Sequence, residues 1–492
     1  MKLYHTYKKQ VVELKPIKKG KIGMYNCGPT VYDYLQIGNF RTFLIDDMLR
    51  RALEYVGYDV KQVMNITDVG HLTMTESQKK AAQLAGKELE ITDTDEGLDR
   101  MEKAAKREGL TVWEIADKYT EAIFGKDWEK KEEFGRDGDF GKMNILKPYK
   151  LPKATDHIKE QIDFIKRLEK KGYTYTTKKA VYFDIQKFAP YENLIGQSFS
   201  DMQKGKRADS SDPERKHPAD FRLWQLGQVD HPMQWKSPWG KGFPGWHIEC
   251  SAMSRKYLGQ PFDIHTGGED HIKLHHADEI AQSASAYDEP MANIWLHVSF
   301  LKVNGKRMGK SVGNAYTLDD LEKNEYDPLD LRYFFFLNHY RMPQNFTWKA
   351  LKAARTARLK LINTAKRLAK SGKGKPKYQQ EFAHALENDM HLPEALAVVW
   401  NVLKSKEKDK DKYATILDFD NVLGLRIEEE ATKKIKVDKN IKKEIESLVK
   451  EREEARSNKD WPKADLLRKN LKDEYKVELV DTDEGTEWKV GK

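Results

Sequence analysis

The chain has 492 residues, 34% of them charged and 39% hydrophobic, and its 87 basic and 78 acidic side chains leave a mild net charge of +9. That length is too great for one compact core, so roughly two to four domains are expected, and with no apolar run of about 18 residues a helical membrane span is excluded. The two cysteines cannot make a disulfide framework, and the N-terminal residues lack the apolar core of a secretory signal, so a reducing, cytoplasmic setting is expected.

In chain order, 21–25 reads as a short strand, 39–56 as a helix and 58–65 as a second strand. That is a β-α-β unit with parallel strands, the opening of a dinucleotide-type fold. The turn Gln36-Ile37-Gly38-Asn39 stands before the helix, where backbone N–H groups face a phosphate. The stretch 74–127 is polar and helical in pattern, and 155–172 is an amphipathic helix followed by strand-like 173–177 and 180–184. A charged loop occupies 201–218. The segment from about 75 to 225 is expected to split the nucleotide-binding fold. The fold resumes from 261, with 262–265 and 294–298 as buried strands. Beyond 312 the pattern turns helical, over 328–337, 349–371, 393–406, 440–457 and 462–474, with lysine-rich breaks near 371–377 and 404–412. The expected fold class is therefore α/β: a Rossmann-like parallel-sheet domain split by an insertion, followed by an all-α C-terminal region.

The stretch 242–279 carries the densest chemistry. His275 and Glu279, at i and i+4, project from one face of a helix, and an imidazole beside a carboxylate is a good pair of zinc ligands. Cys250 can add a thiolate, and Cys27 is the chain's only other cysteine. If both cysteines meet this helix face, they make a Cys/Cys/His/Glu site. The plainer reading is two unrelated buried cysteines and a solvated His/Glu pair. A second motif, Arg307-Met308-Gly309-Lys310-Ser311, lies in a basic, glycine-punctuated loop after a strand. Such a loop can fold over a triphosphate and bring Lys310 to it as a point charge, or it can be an ordinary surface loop.

Gln36-Ile37-Gly38-Asn39 resembles the HIGH signature of class I aminoacyl-tRNA synthetases, and Arg307 to Ser311 resembles their KMSKS signature, in the right order and at a fitting separation. Cys27-Gly28-Pro29-Thr30, the run from Gly245 through Cys250 to Met253, and His275-His276 with Glu279 are similar to the cysteinyl-tRNA synthetase family specifically. The likeness covers nearly the whole chain. It includes 388–396, similar to the start of that family's helical anticodon-side domain, and 452–465, similar to its C-terminal helices. Two signatures depart from the usual pattern: Gln36 stands where the family has histidine, with Asn39 at the last position, and the second motif keeps only one of its two lysines, Lys310.

The resemblance implies an ATP-dependent cysteine–tRNA ligase with Mg²⁺-bound ATP, cysteine and tRNA(Cys) as substrates, one zinc ion per chain and no membrane partner, acting as a monomer. It implies halves of the catalytic domain at 1–75 and 226–315, a connective insertion at 76–225, a helical stem-contact region at 316–375 and an anticodon-binding domain at 376–492. By the same resemblance Gln36, Gly38 and Asn39 hold the ATP phosphates and Lys310 meets the charge on pyrophosphate. Gly267 and Gly268 admit the nucleoside, and Asp270 reaches the ribose. Cys27, Cys250, His275 and Glu279 hold zinc, while Thr67, Trp246 and His265 complete the cysteine pocket. His276 is expected to turn off the metal face as a packing or outer residue. Zinc has a chemical reason to be there: an apolar pocket separates cysteine from serine poorly, whereas a metal captures a thiolate and not a hydroxyl. Lys/Arg-rich C-terminal helices, with Trp461 or Tyr475, are expected on the tRNA side. Two other readings stay open: a ligase joining cysteine to an amino sugar, which has little use for 375–492, and a non-catalytic tRNA- or zinc-binding paralogue.

Overall fold

The computed structural model describes residues 1–69, 100–199, 212–226, 231–309, 312–368, 372–433, 439–475, 477–482 and 485–490. They form two compact units, Met1–Ile427 and Glu428–Lys492.

The first unit is organised on a four-stranded parallel sheet of β1 (Lys21–Asn26), β2 (Asp59–Met64), β3 (Phe262–Gly268) and β4 (Ala292–Val298), in the order β4-β3-β1-β2. Helix α1 (Ile37–Tyr55) joins β1 to β2, and α3 (His275–Tyr287) joins β3 to β4. Two β-α-β units thus run outward from the β1/β3 seam in opposite directions. Outside the carboxyl ends of those two strands the crossovers diverge, which opens a crevice at the switch point. The strands expected at 21–25, 58–65, 262–265 and 294–298 are all present.

The segment between β2 and β3 carries the helices Val112–Phe124 and Ile158–Lys170 and a five-stranded antiparallel sheet. Its strand order is Thr174–Thr176, Ala180–Phe183, Phe221–Leu226, Gly240–Pro244 and Trp235–Ser237. The boundary expected at 225 falls inside this sheet. Phe221–Leu226 is a central strand, and its outer neighbour is supplied only by Gly240–Pro244, so the inserted sheet closes just before α2 (Trp246–Leu258). Residues 74–99 of the expected helical stretch and 201–211 of the charged loop lie outside the described residues.

The helices expected after 312 are found at Pro328–Phe336, Trp348–Arg367, Leu392–Lys404, Lys439–Ser457 and Trp461–Tyr475, joined by Pro376–Glu387 and Asp409–Leu423. Helix α1 is the hub of the first unit, and Arg41, Asp46, Asp47 and Arg51 are buried on it along with its apolar residues. Asp47 accepts from Arg51 at 2.9 Å and from the fully buried Arg332 at 2.6 Å. Arg332 also donates to the carbonyls of Leu423 at 2.6 Å and Met143 at 2.9 Å, so the insertion, α1 and the later helices close on one ion cluster. The second unit packs its two helices on a hairpin, Val477–Thr482 with Gly485–Val490, through Ile445, Val449, Leu471, Val477 and Leu479. This hairpin corrects the all-α expectation for the C-terminal region: Val477 and Leu479, two residues apart on its first strand, are buried against the helices. Among the described residues no helix is long and apolar enough to cross a membrane.

Candidate metal centre and adjoining cavity

Cys27 leaves the end of β1, and its backbone N–H donates to the Thr266 carbonyl of β3 at 3.3 Å, so it stands on the seam. The next residue must be glycine for steric reasons: a Cβ on Gly28 would lie 1.7 Å from the Asn65 carbonyl oxygen. Cys250 comes from the second turn of α2, and His275 and Glu279 from the first turns of α3. One donor atom from each of Cys27, Cys250, His275 and Glu279 lies within 4.8 Å of the others, and all four residues are buried. His275 Nε2 is 3.4 Å from Cys250 Sγ and 2.7 Å from Glu279 Oε1; Cys27 Sγ is 3.9 Å from that same oxygen.

A second group overlaps the first and shares two of its members: Cys27, His265, His276 and Glu279. His276 Nε2 is 3.2 Å from Cys27 Sγ, and its Nδ1 is 2.7 Å from His297 Nε2. The expectation that His276 turns off the metal face is therefore corrected. Helix α3 is buried all round its first turns, from His275 through Glu279, so adjacent side chains both reach inward. His265 departs from expectation as well. It is fully buried behind Glu279, with Nε2 2.6 Å from Oε2, and does not line the cavity.

The cavity decides between the two groups. It is lined by three members of the first group, Cys27, Cys250 and His275, and by Cys27 alone of the second, so the two-cysteine group opens more widely on space for a substrate. Two sulfurs, one nitrogen and one oxygen are also the donor set that fits zinc.

Electrostatics treat the four donors as a unit. Burial works to raise the Glu279 carboxyl, yet the His265 and His275 imidazoles hold it well below the usual range. Burial pushes the Cys27 thiol up. Against the same burial, the hydrogen bond from Cys27 and the charge of His275 bring Cys250 down to about 6. His275 is raised well above its ordinary value: Glu279 and the Cys250 thiolate outweigh its burial. Without an ion, the site balances a thiolate and a carboxylate against a proton on His275.

The same cavity is lined by Gln36, Asn39, Thr67, Trp246, Gly268 and Asp270. Gln36 caps α1, and its backbone N–H donates to Asn39 Oδ1 at 2.9 Å, which leaves the Asn39 amide nitrogen to donate elsewhere. Thr67 Oγ1 donates to Glu249 Oε2 at 3.2 Å. Glu249 was not anticipated: burial raises its carboxyl well above the ordinary range, and it stands behind Thr67, next to Cys250 in the chain. Trp246 packs on His275 with ring centroids 4.3 Å apart and the planes tilted by 38°. Gly38 and Gly267 do not line the cavity. Gly38 packs on Met308, and Gly267 lies against His271 and His276, where a side chain would clash with both rings. Lys310 lies outside the described residues.

Comparison with known proteins places this geometry in a family. The family described as tRNA synthetases class I (C) catalytic domain matches residues 13–356. The chain is 42% identical to the cysteine–tRNA ligase 1 of Burkholderia lata, over 98% of this chain and 95% of that protein. It is 37% identical to the cysteine–tRNA ligase of Treponema denticola, over 99% of each. Among solved structures, the Mycobacterium tuberculosis methionyl-tRNA synthetase in complex with methionyl-adenylate superposes with a TM-score of 0.52 at 13% identity, over 84% of this chain and 91% of that one. That likeness speaks for the class I fold alone.

Proposed function

The chain belongs to the cysteine–tRNA ligase family of class I tRNA synthetases, and on that premise we propose how its own residues join cysteine to tRNA at the expense of ATP. The observation that carries the reading is the meeting of Cys27, Cys250, His275 and Glu279 in one buried cluster, three of them lining the cavity that Gln36 and Asn39 also line.

In the first step the cysteine carboxylate attacks the α-phosphate of Mg²⁺-bound ATP, pyrophosphate leaves and cysteinyl-adenylate forms. In the second, the terminal adenosine hydroxyl of tRNA attacks the cysteinyl carbonyl and AMP leaves. The first step asks for placement and charge stabilisation more than for an acid/base pair. At the start of α1, Gln36 and the spare Asn39 amide nitrogen line the cavity and donate to phosphate oxygens at the positive end of the helix. Lys310, assigned from its place in the signature loop, neutralises the departing pyrophosphate. Gly268 and Asp270 border the nucleoside side, and Thr67 and Trp246 wall the amino acid side. A zinc ion on the four donors supplies recognition of the substrate sulfur as thiolate, for which serine has no equivalent near neutral pH. Two buried cysteines without a disulfide support a reducing, cytoplasmic setting. The C-terminal helices, with exposed Trp461 among them, form the tRNA side.

The test is cysteine-dependent ATP–pyrophosphate exchange without tRNA, followed by charging of a CCA-ended tRNA with a GCA anticodon. Both reactions are expected, together with one zinc per chain by atomic emission. No exchange rejects the enzyme reading, and exchange without charging points instead to transfer of cysteine to another acceptor.

A further inference from the structure

The metal-facing atom of His275 is Nε2, since that nitrogen stands beside Cys250 Sγ and Glu279 Oε1. A histidine that binds through Nε2 carries its proton on Nδ1 and needs an acceptor there. The acceptor is another histidine: His275 Nδ1 is 3.0 Å from His247 Nδ1. With Nδ1 accepting, His247 carries its own proton on Nε2, and that nitrogen is 3.1 Å from Asp278 Oδ2. The other oxygen of Asp278 accepts from the hydroxyl of Tyr191. Every proton then has one place: His275 to His247, His247 to Asp278, Tyr191 to Asp278. Tyr191 and Asp278 are fully buried, and His247 is half-buried, edge-on to Phe221 of the inserted sheet. Gln282 Nε2 donates to the His247 carbonyl at 2.6 Å, which steadies the α2 end of the chain of contacts.

We propose that His247, Asp278 and Tyr191 are positioning residues for the metal: a proton-ordered relay that holds His275 in its ligating tautomer and lends it the negative charge of Asp278. It rests on the zinc reading above. Nothing in the i,i+4 motif requires it, because the relay leaves the metal-binding face of α3 and crosses to α2 and to the inserted helix Tyr191–Ile195. The affinity of the site for its ion therefore depends on how the insertion seats against α3.

The experiment measures zinc affinity by chelator competition and the absorption of the cobalt-substituted protein, neither of which requires turnover. Asp278→Asn, which keeps the shape and removes the charge, is expected to weaken zinc by about 10- to 100-fold and to shift the cobalt bands. Tyr191→Phe should act in the same direction by less, and it carries the test should Asp278→Asn fail to fold. Asp278→Asn should add no further loss in a His247→Ala background, as an effect passed through His247 requires. Tyr175→Phe removes a hydroxyl that donates to Asp220 in the same inserted sheet and should leave affinity unchanged. Parental affinity in both Asp278→Asn and Tyr191→Phe, full additivity with His247→Ala, or an equal loss in Tyr175→Phe would each overturn the relay. A parent protein that binds no zinc overturns the zinc reading and the relay together, so the two failures are told apart by the parent alone.

Discussion

Gly38 and Met308 are in contact: a Cβ on Gly38 would lie 2.2 Å from Met308 Cε. The two signature segments, far apart in the chain, are thus packed on each other through this pair. Beside them the Ile37 N–H donates to the Tyr316 carbonyl at 2.8 Å, and Gln36 pairs with Thr317 in a bridge. Gly38→Ala should displace Met308, and with it the loop that carries Lys310. The methionine end is flexible, so thermal stability should hardly change, while exchange falls on the order of 10²-fold if the loop moves by about an ångström. Adding Met308→Ala should restore most of the rate; exchange assays on the single and double variants check this.

Gln36→His returns an imidazole to the first position of the helix-capping signature. The Gln36 backbone contacts to Asn39 and Thr317 are left intact by the change. Exchange should hold or rise. A large fall would mean that the phosphates do not sit at this turn.

Cys250→Ser should abolish bound zinc and cysteine activation together, as read by atomic emission and exchange. Zinc uptake should also release protons. At pH 7.5 Cys250, at about 6, is already a thiolate, whereas Cys27 holds its proton and His275 keeps its second one. Binding must expel both, so about two protons should appear per zinc, and affinity should rise with pH. Calorimetry in buffers of different ionisation enthalpy counts them.

Asp47→Ala should be among the most damaging changes outside the cavity. It strands Arg332, whose guanidinium is fully buried and whose pKa is already drawn down to about 10 by burial. Breaking a buried pair from one side costs about 3–5 kcal/mol. Urea unfolding should show that loss, with exchange reduced in parallel because α1 carries Gln36 and Asn39.

In the metal-stripped protein His5 and His271 should each subtract from stability in mild acid. Burial lowers His5 and His271 to about 4. At these two positions the unfolded chain then binds more protons than the folded one from roughly pH 6.5 down to pH 4. Their stabilisation is complete above that window and fades within it, by about 1.4 kcal/mol per pH unit for each histidine. Urea titrations at stepped pH measure the slope, and His271→Gln should flatten it.

Read alone, the chain disclosed the parallel strands at 21–25 and 58–65, the helix between them and the facing of His275 and Glu279, because each is written in a local period or spacing. The motifs likewise named Cys27 and Cys250. What no local pattern contains is distance in space. Packing alone decided that Cys27 meets Cys250 across the β1/β3 seam, that Gly38 lies under Met308, and that the inserted sheet runs on to Pro244. It also turned His276 inward and put His265 behind Glu279. An α-helix buried on all sides offers no solvated face for periodicity to mark, so each polar side chain on it takes its partner from whatever element the fold brings alongside.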